Sequence, residues 1–291
     1  MKIYHQPVMV KEVLEILQPE RGGIFVDCTT GEGGHSLALL QKLPPSSTLI
    51  CIDRDWEMLE IAKERLKAFP HKTHFYKANF SQLQPILAEL GLNEADGILF
   101  DLGISSRHIE IPERGFSFQS EGPLDMRMDR NQSLTAEDLV NRLSKKELAR
   151  IFMEYGEEPF AERIASAIVE HRKRKKISST RELAEIIERV VRRRGRIHPA
   201  TRVFMALRIA VNKELEELRS ALPIAISLLK RGGRLCVLSY HSLEDRIVKE
   251  CFREKKDELN IITPKPLRPS MGEVSINPSA RSAKLRAVER R

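Results

Sequence analysis

Between residues 24 and 36 an apolar run, Ile24-Phe25-Val26, ends in Asp27 and passes through Cys28-Thr29-Thr30-Gly31-Glu32-Gly33-Gly34 into a helix-forming stretch opened by His35-Ser36. The pattern reads as strand, glycine-rich turn, helix. Glycine has no Cβ and accepts positive φ, so such a turn lets a ligand approach the backbone closely. A second apolar run, Thr48 to Asp53, also ends in an acid. A glycine-rich first turn with an acid closing the second strand is the nucleoside-binding layout of a doubly wound sheet. The dinucleotide fingerprint Gly-x-Gly-x-x-Gly is not met: the glycines stand at 31, 33 and 34, and Ser36 takes the third place. That disfavours a nicotinamide oxidoreductase. It suits a cofactor with ribose and adenine but no phosphate, of which S-adenosylmethionine is the common one. The plain alternative is a turn that only packs helix on strand.

The rest of the chain extends this α/β reading. Strands are expected at 24–28, 48–53, 73–78 and 96–101, and helices at 33–43, 55–68 and 81–90. Leu59, Ala62 and Leu66 share one face of the second helix, and the alternation implies a mostly parallel sheet. After Asp101 the rhythm breaks into an irregular stretch, 102–134. Capping-box patterns then follow at Thr135-x-x-Asp138, Ser144-x-x-Glu147 and Ser179-x-x-Glu182, each a helix start. Residues 112–200 therefore read as an all-helical insertion between segments 1–111 and 201–291, which together make one discontinuous domain. A helix over 200–221 carries Val203, Leu207, Val211 and Leu215 on one stripe, and Pro223 should kink or restart it. Gly232-Gly233 marks a turn before a fifth strand, Arg234 to Tyr240. A helix opens at Ser242-x-x-Asp245, and short strands are expected at 260–263 and 284–288.

The chain of 291 residues is 41% hydrophobic, enough for a substantial core, and carries a net charge of +8. Cations cluster at Arg172-Lys173-Arg174-Lys175-Lys176, at Arg192-Arg193-Arg194 with Arg196, and in the tail from Arg281 to Arg291. A charge run is usually a solvated face, but three runs beside this excess favour a phosphate backbone as partner. Cysteines 28, 51, 236 and 251 lack metal-ligand spacing, so no metal site is expected. Three of them lie in apolar strand runs, as small buried hydrophobes in a reduced, cytoplasmic setting do. No stretch is apolar enough to span a membrane, and the N-terminus has no signal-peptide core.

In an open α/β sheet the ligand sits beyond the carboxyl ends of the strands. The polar groups falling there are Asp27 with its turn, Asp53, Asp101-Leu-Gly-Ile-Ser105-Ser106, and Ser239-Tyr240-His241-Ser242. Asp53 is placed to accept ribose hydroxyls, or else to cap the next helix. Phe80, after the third strand, can lie on an adenine face or simply join the core. Asp101, Ser105, Tyr240 and His241 are the candidates for touching a substrate.

These residues sit within longer strings: His5-Gln-Pro-Val-Met-Val10, Asp27 to His35, Arg114-Gly-Phe-Ser-Phe118, Gly122-Pro-Leu-Asp-Met-Arg-Met-Asp129, Tyr155-Gly-Glu157, Phe204 to Asn212, and Ser239-Tyr-His-Ser-Leu-Glu-Asp-Arg246. With them the chain resembles, over nearly its whole length, the MraW family of ribosomal RNA small-subunit methyltransferases. The resemblance implies a class I S-adenosylmethionine-dependent methyltransferase fold with a helical insertion that binds rRNA. It implies methylation of the exocyclic N4 of a cytidine in the decoding centre of 16S rRNA, near the P site. The cofactor contacts it implies are Gly33, Gly34, His35, Asp53, Phe80, Asp101 and His108, the last standing where many relatives have Gln. No transit segment precedes the match, which fits the bacterial form. The chain lacks the Asn/Asp/Ser-Pro-Pro-Tyr loop of DNA amino-methyltransferases. A non-catalytic rRNA-binding assembly factor is the reading from a different class. Monomer and homodimer are both compatible with the sequence.

Overall fold

The computed structural model describes residues 6–191 and 198–291. His5 and the expected RNA contacts Arg192, Arg193 and Arg194 lie outside the described residues. The chain divides into two compact units, Met1–Gly103 with Leu215–Arg291, and Ile104–Glu214. The sequence pattern places these divides near 111/112 and 200/201.

The first unit is built on β1 (Ile24–Asp27), β2 (Thr48–Asp53), β3 (Lys72–Lys77), β4 (Ala95–Asp101), β5 (Leu229–Ser239), β6 (Leu259–Ile261) and β7 (Lys284–Arg290). They form one sheet in the order β3-β2-β1-β4-β5-β7-β6. The first five strands run parallel, and β7 runs antiparallel to both β5 and β6. This is the mostly parallel α/β sheet that the resemblance implied. Helices α1 (Val10–Leu17), α2 (Gly34–Leu40), α3 (Trp56–Leu66) and α4 (Leu83–Glu89) belong to it. Val13, Leu39, Leu40 and Leu59 pack with Phe25, Leu49, Leu99, Cys236 and Leu238 in one buried cluster. Burial on both faces explains why β1, β2 and β4 are continuous apolar runs rather than alternating ones.

The expected fifth strand starts earlier, at Leu229. Gly232-Gly233 is an irregularity inside it: Ala95 pairs with Leu229 but Gly97 already pairs with Arg234. Gly232 at φ +78 accommodates the extra residues. The helix-forming N-terminal segment α1 was not anticipated.

The second unit contains α5 (Ser106–Glu110), α6 (Ala136–Arg142), α7 (Lys145–Glu154), α8 (Ala161–Arg172), α9 (Thr180–Val190) and α10 (Ala200–Asn212). Its core joins Leu148, Phe152, Ile164, Ile168, Leu183, Ile187, Val203 and Leu207. Thr135 and Ser144 make the expected capping boxes. The expected helix 200–221 is two helices. It ends at Asn212, Lys213 takes φ +51, and α11 (Glu214–Ser227) runs through Pro223. The break has a side-chain cause. Asn212 accepts from Met128 N at 2.9 Å and donates to Met126 O at 2.7 Å, tying that turn to the 102–134 loop. The remaining helices are α12 (Ser242–Glu254) and α13 (Met271–Ile276). The cap of α12 is His241, one residue before the expected Ser242, and it forms a box with Glu244 rather than Asp245.

Candidate active site

The glycine turn is fixed to the strands around it. Its backbone is tied to β4 by Cys28 N to Leu99 O at 2.9 Å and to β2 by Thr30 N to Ile52 O at 3.0 Å. Asp53 grips it from the end of β2, accepting from Gly31 N at 2.7 Å and from Asp55 N at 2.8 Å. Asp53 thus organises both the turn and the start of α3, where Asp55 is the cap. Gly33 sits at φ +77, and a Cβ there would lie 3.1 Å from the Cβ of Ala62; one on Gly34 would lie 3.1 Å from Pro7. Part of the glycine requirement is therefore packing of α2 against α3 and the N-terminal segment.

Three side chains converge at the ends of β1, β4 and β5. Tyr240 donates to Asp101 Oδ1 at 2.7 Å. His35, buried in the first turn of α2, lies with Nε2 3.3 Å from Asp101 Oδ2, although neither ring nitrogen makes a well-directed hydrogen bond. Thr29 Oγ1, in the turn, accepts from Asp101 N at 2.6 Å. Burial alone would lower the His35 pKa. Asp101, together with Asp27 and Glu273, more than offsets it, and the net shift is upward from 6.5. Burial, with the Asp101 charge next, holds Tyr240 well above the usual phenol range. Tyr240 therefore stays a neutral donor, the form its bond to Asp101 requires.

Beneath this group Asp27 is fully enclosed. Ser36 Oγ donates to its Oδ2 at 2.6 Å and Thr29 N to its Oδ1 at 3.2 Å. Burial pushes its carboxyl up to about 6, against the lowering effects of Ser36 and His35. The folded chain therefore holds this proton between the ordinary value of 3.8 and about 6, where the unfolded chain has released it. The stability this confers is complete below 3.8 and is lost as pH rises through about 6. Asp27→Asn keeps the acceptor for Ser36 but cannot ionise. Its melting temperature, measured relative to the parent chain, is expected to improve across that window and then level off; a constant difference would exclude a buried ionisation here.

The other sequence candidates occupy varied settings. Phe80 is half-buried and meets Phe100 edge-on at 5.4 Å. His241 caps α12, and its Nε2 lies 3.2 Å from Glu244 Oε1, so both ring nitrogens face its own helix start. In the helical unit Ser105 caps α5, accepting from Arg107 N at 3.2 Å, and the His108 ring lies 4.9 Å from Phe116. Arg172 donates to the carbonyls of Val140 and Leu143, both at 2.6 Å, and so ties α8 to the end of α6. Lys173 pairs with Glu170, Lys175 with Glu182, and Lys176 with Glu137.

Two site features escaped the sequence reading. Thr29 is one of two adjacent threonines, and its hold on Asp101 depends on the β1–β4 pairing. Glu273 lies far along the chain, and only the return of the C-terminal segment brings its charge toward His35. Among the described residues no group of His, Cys, Asp and Glu side chains is arranged to hold a metal ion, and no helix is long and apolar enough to cross a membrane.

A family model described as the MraW methylase family matches residues 2–291. The chain belongs to the MraW methylase family. It is 49% identical to a protein of Persephonella marina over 99% of both chains. It is 50% identical to one of Pseudothermotoga lettingae over 100% of both, and 47% identical to one of Syntrophotalea carbinolica over 98% of both. Each of these relatives is named ribosomal RNA small subunit methyltransferase H. In this MraW chain the long family strings have local structural work that is now visible. In the string 122–129, Arg127 grips Asp125 through two nitrogens at 2.7 and 2.8 Å. In the string 239–246, Asp245 holds Lys284 and Arg286 of β7 at 2.9 and 2.7 Å.

Proposed function

We propose that this chain transfers a methyl group from S-adenosylmethionine to the exocyclic N4 of a decoding-centre cytidine of 16S rRNA, in the small ribosomal subunit of the bacterial cytoplasm. The carrying observation is the turn gripped by Asp53 beside the His35–Asp101–Tyr240 group, at the carboxyl ends of neighbouring strands. Family membership and the names of the relatives support the reaction and the RNA.

The residues present fit such a cofactor. Asp53 and Asp101 flank the turn with carboxylates, as ribose hydroxyls and a cationic sulfonium and ammonium require, and the buried ring nitrogens of His35 lack directed partners. Gly33, Gly34, His35, Asp53, Phe80 and Asp101 would hold it. The bound cofactor supplies an electrophilic methyl group on sulfur. The cytosine amine is a weak nucleophile, because its lone pair is delocalised into the ring. The task of the protein is therefore to align it, and alignment supplies up to about 7–11 kcal/mol in favourable cases. Asp101, with Ser105, would accept the amine hydrogens. Tyr240 acts through Asp101, fixing one carboxylate oxygen and leaving the other toward His35. His241 would orient the base, which must leave its stack to reach the site. The cations at 173–176, with Arg192, Arg193 and Arg194, would meet phosphate, whereas Arg172 supports the helical unit from within.

The roles divide testably. Asp53→Ala removes the acceptor for two backbone donors and is expected to weaken S-adenosylmethionine binding by about a hundredfold, as loss of charge-assisted hydrogen bonds does. Ser105→Ala and His241→Ala should mainly slow turnover. Equal loss of cofactor affinity in all three, by calorimetry, would reject this division. The reaction itself is tested with labelled S-adenosylmethionine and undermethylated small subunits, beside naked 16S rRNA and duplex DNA, identifying the product nucleoside by mass spectrometry. N4-methylcytidine from subunits is the expected product; cofactor binding without transfer to any of the three would favour an assembly factor.

A further inference from the structure

Between β6 and β7 the chain runs through a strap, residues 264–282, that is fastened at several points. Leu267 exchanges backbone hydrogen bonds with Leu285 at 2.9 and 3.0 Å. Glu273 Oε1 accepts from Met9 N at 2.6 Å, and Asn277 Nδ2 donates to Gln6 O at 3.0 Å. Lys284, which follows the strap, pairs with Ser239 at the carboxyl end of β5. The strap therefore returns at the end of the sheet that carries Asp101 and Tyr240. The charge of Glu273 is felt by both His35 and Tyr240.

The strap surface is unlike the basic run at the end of α8 and beyond it. Lys265, Arg268 and Arg281 are exposed, and among the described residues none has a carboxylate partner. In the 172–176 run, by contrast, three lysines are paired with glutamates. The one acid of the strap, Glu273, is engaged with Met9. Between the cations stand Leu267, Met271 and Ile276, with Met271 87% and Ile276 74% exposed. A lone exposed apolar side chain is ordinary. Here several alternate with unpaired cations on a tethered segment beside the site. An apolar protein partner would leave those cations unmatched, whereas a polyanion with stackable bases matches both features.

We infer that residues 264–282 are an RNA-contact surface of the methyltransferase unit, with Lys265, Arg268 and Arg281 on phosphates flanking the target nucleotide and Met271 and Ile276 against bases next to it. Apolar wedges of this kind support nucleotides whose neighbour has left the stack. The inference rests on the RNA substrate proposed above.

The test is the triple variant Lys265→Glu, Arg268→Glu, Arg281→Glu in the full chain, binding small subunits over a salt series. Three lost contacts should flatten the slope of log affinity against log salt by about 2, and raise the subunit KM roughly tenfold or more at moderate salt. S-adenosylmethionine affinity should stay unchanged, since none of the three lies at the cofactor turn. Met271→Ala with Ile276→Ala should lower kcat severalfold and leave the salt slope intact. A parental slope and KM in the triple variant would overturn the inference, as would a loss of cofactor affinity in it. So would lost binding to phosphatidylglycerol vesicles with an unchanged subunit slope. Failure of the parent chain to methylate any RNA would instead refute the proposed reaction, while the salt slope still judges the strap.

Discussion

Asp101→Ala is expected to lower methyl transfer at single turnover by about a hundredfold, an effect of two to three kcal/mol, the scale of hydrogen bonds to charged groups. The expectation follows from the neighbours of Asp101. One carboxylate oxygen accepts from Tyr240 at 2.7 Å and the other faces the buried His35 at 3.3 Å. Removing the carboxylate leaves an enclosed imidazole without its principal counter-charge and a half-buried phenol without its acceptor. Asp101→Asn separates the two losses. It can still accept from Tyr240 but no longer offers a charge to His35, so it should fall between the parent and Asp101→Ala. The His35 titration, followed by NMR, should also move down toward or below its ordinary value of 6.5, because burial then acts with less opposition. Turnover within threefold of the parent in Asp101→Ala would remove Asp101 from the centre of the site.

The second large effect belongs to the helical unit. Arg114→Ala is expected to destabilise that unit by on the order of 3 kcal/mol, lowering its calorimetric transition by about 10 °C or more. Arg114 is 2% exposed. Its guanidinium donates to the carbonyls of Arg127 and Met128, each at 3.0 Å, while its own carbonyl accepts from Met126 N at 3.0 Å. It is the internal support of a long stretch with little regular structure. The variant leaves buried carbonyls unpaired and a cavity beside them. Lysine should rescue poorly, because a point charge cannot reproduce the planar fork. Gly115→Ala should act in the same direction, since a Cβ there would lie 2.1 Å from Pro123 O at φ +71. A transition unchanged in both variants would show that this loop does not support the unit.

Local chemistry made much of the fold legible. The strand-turn-helix at Asp27 to Ser36, the apolar runs ending in Asp53 and Asp101, and the boxes at Thr135 and Ser144 depend on neighbours a few residues apart. Such signals survive in a bare sequence. The errors fall where a distant partner decides. Pro223 is expected to kink or restart the helix, yet the interruption is at Lys213, where Asn212 is drawn to Met126 and Met128, and α11 runs through Pro223. The basic run at 172–176 reads as cations for a phosphate backbone, yet Arg172 bonds carbonyls at the end of α6 and the lysines pair with glutamates from other turns and helices.

The site divides in the same way. The sequence alone determined that a glycine-rich turn and carboxylates would meet at the ends of parallel strands, because each lies directly after its own strand and parallel pairing aligns those ends. What each acid does depends on the folded chain. Asp53 grips the turn, Asp101 joins His35 to Tyr240, and Asp27 is buried deeply enough to hold its proton up to about 6. The physical reason is distance along the chain. Hydrogen bonds and burial between residues 72 or 139 positions apart depend on strand order and packing, which no local pattern encodes.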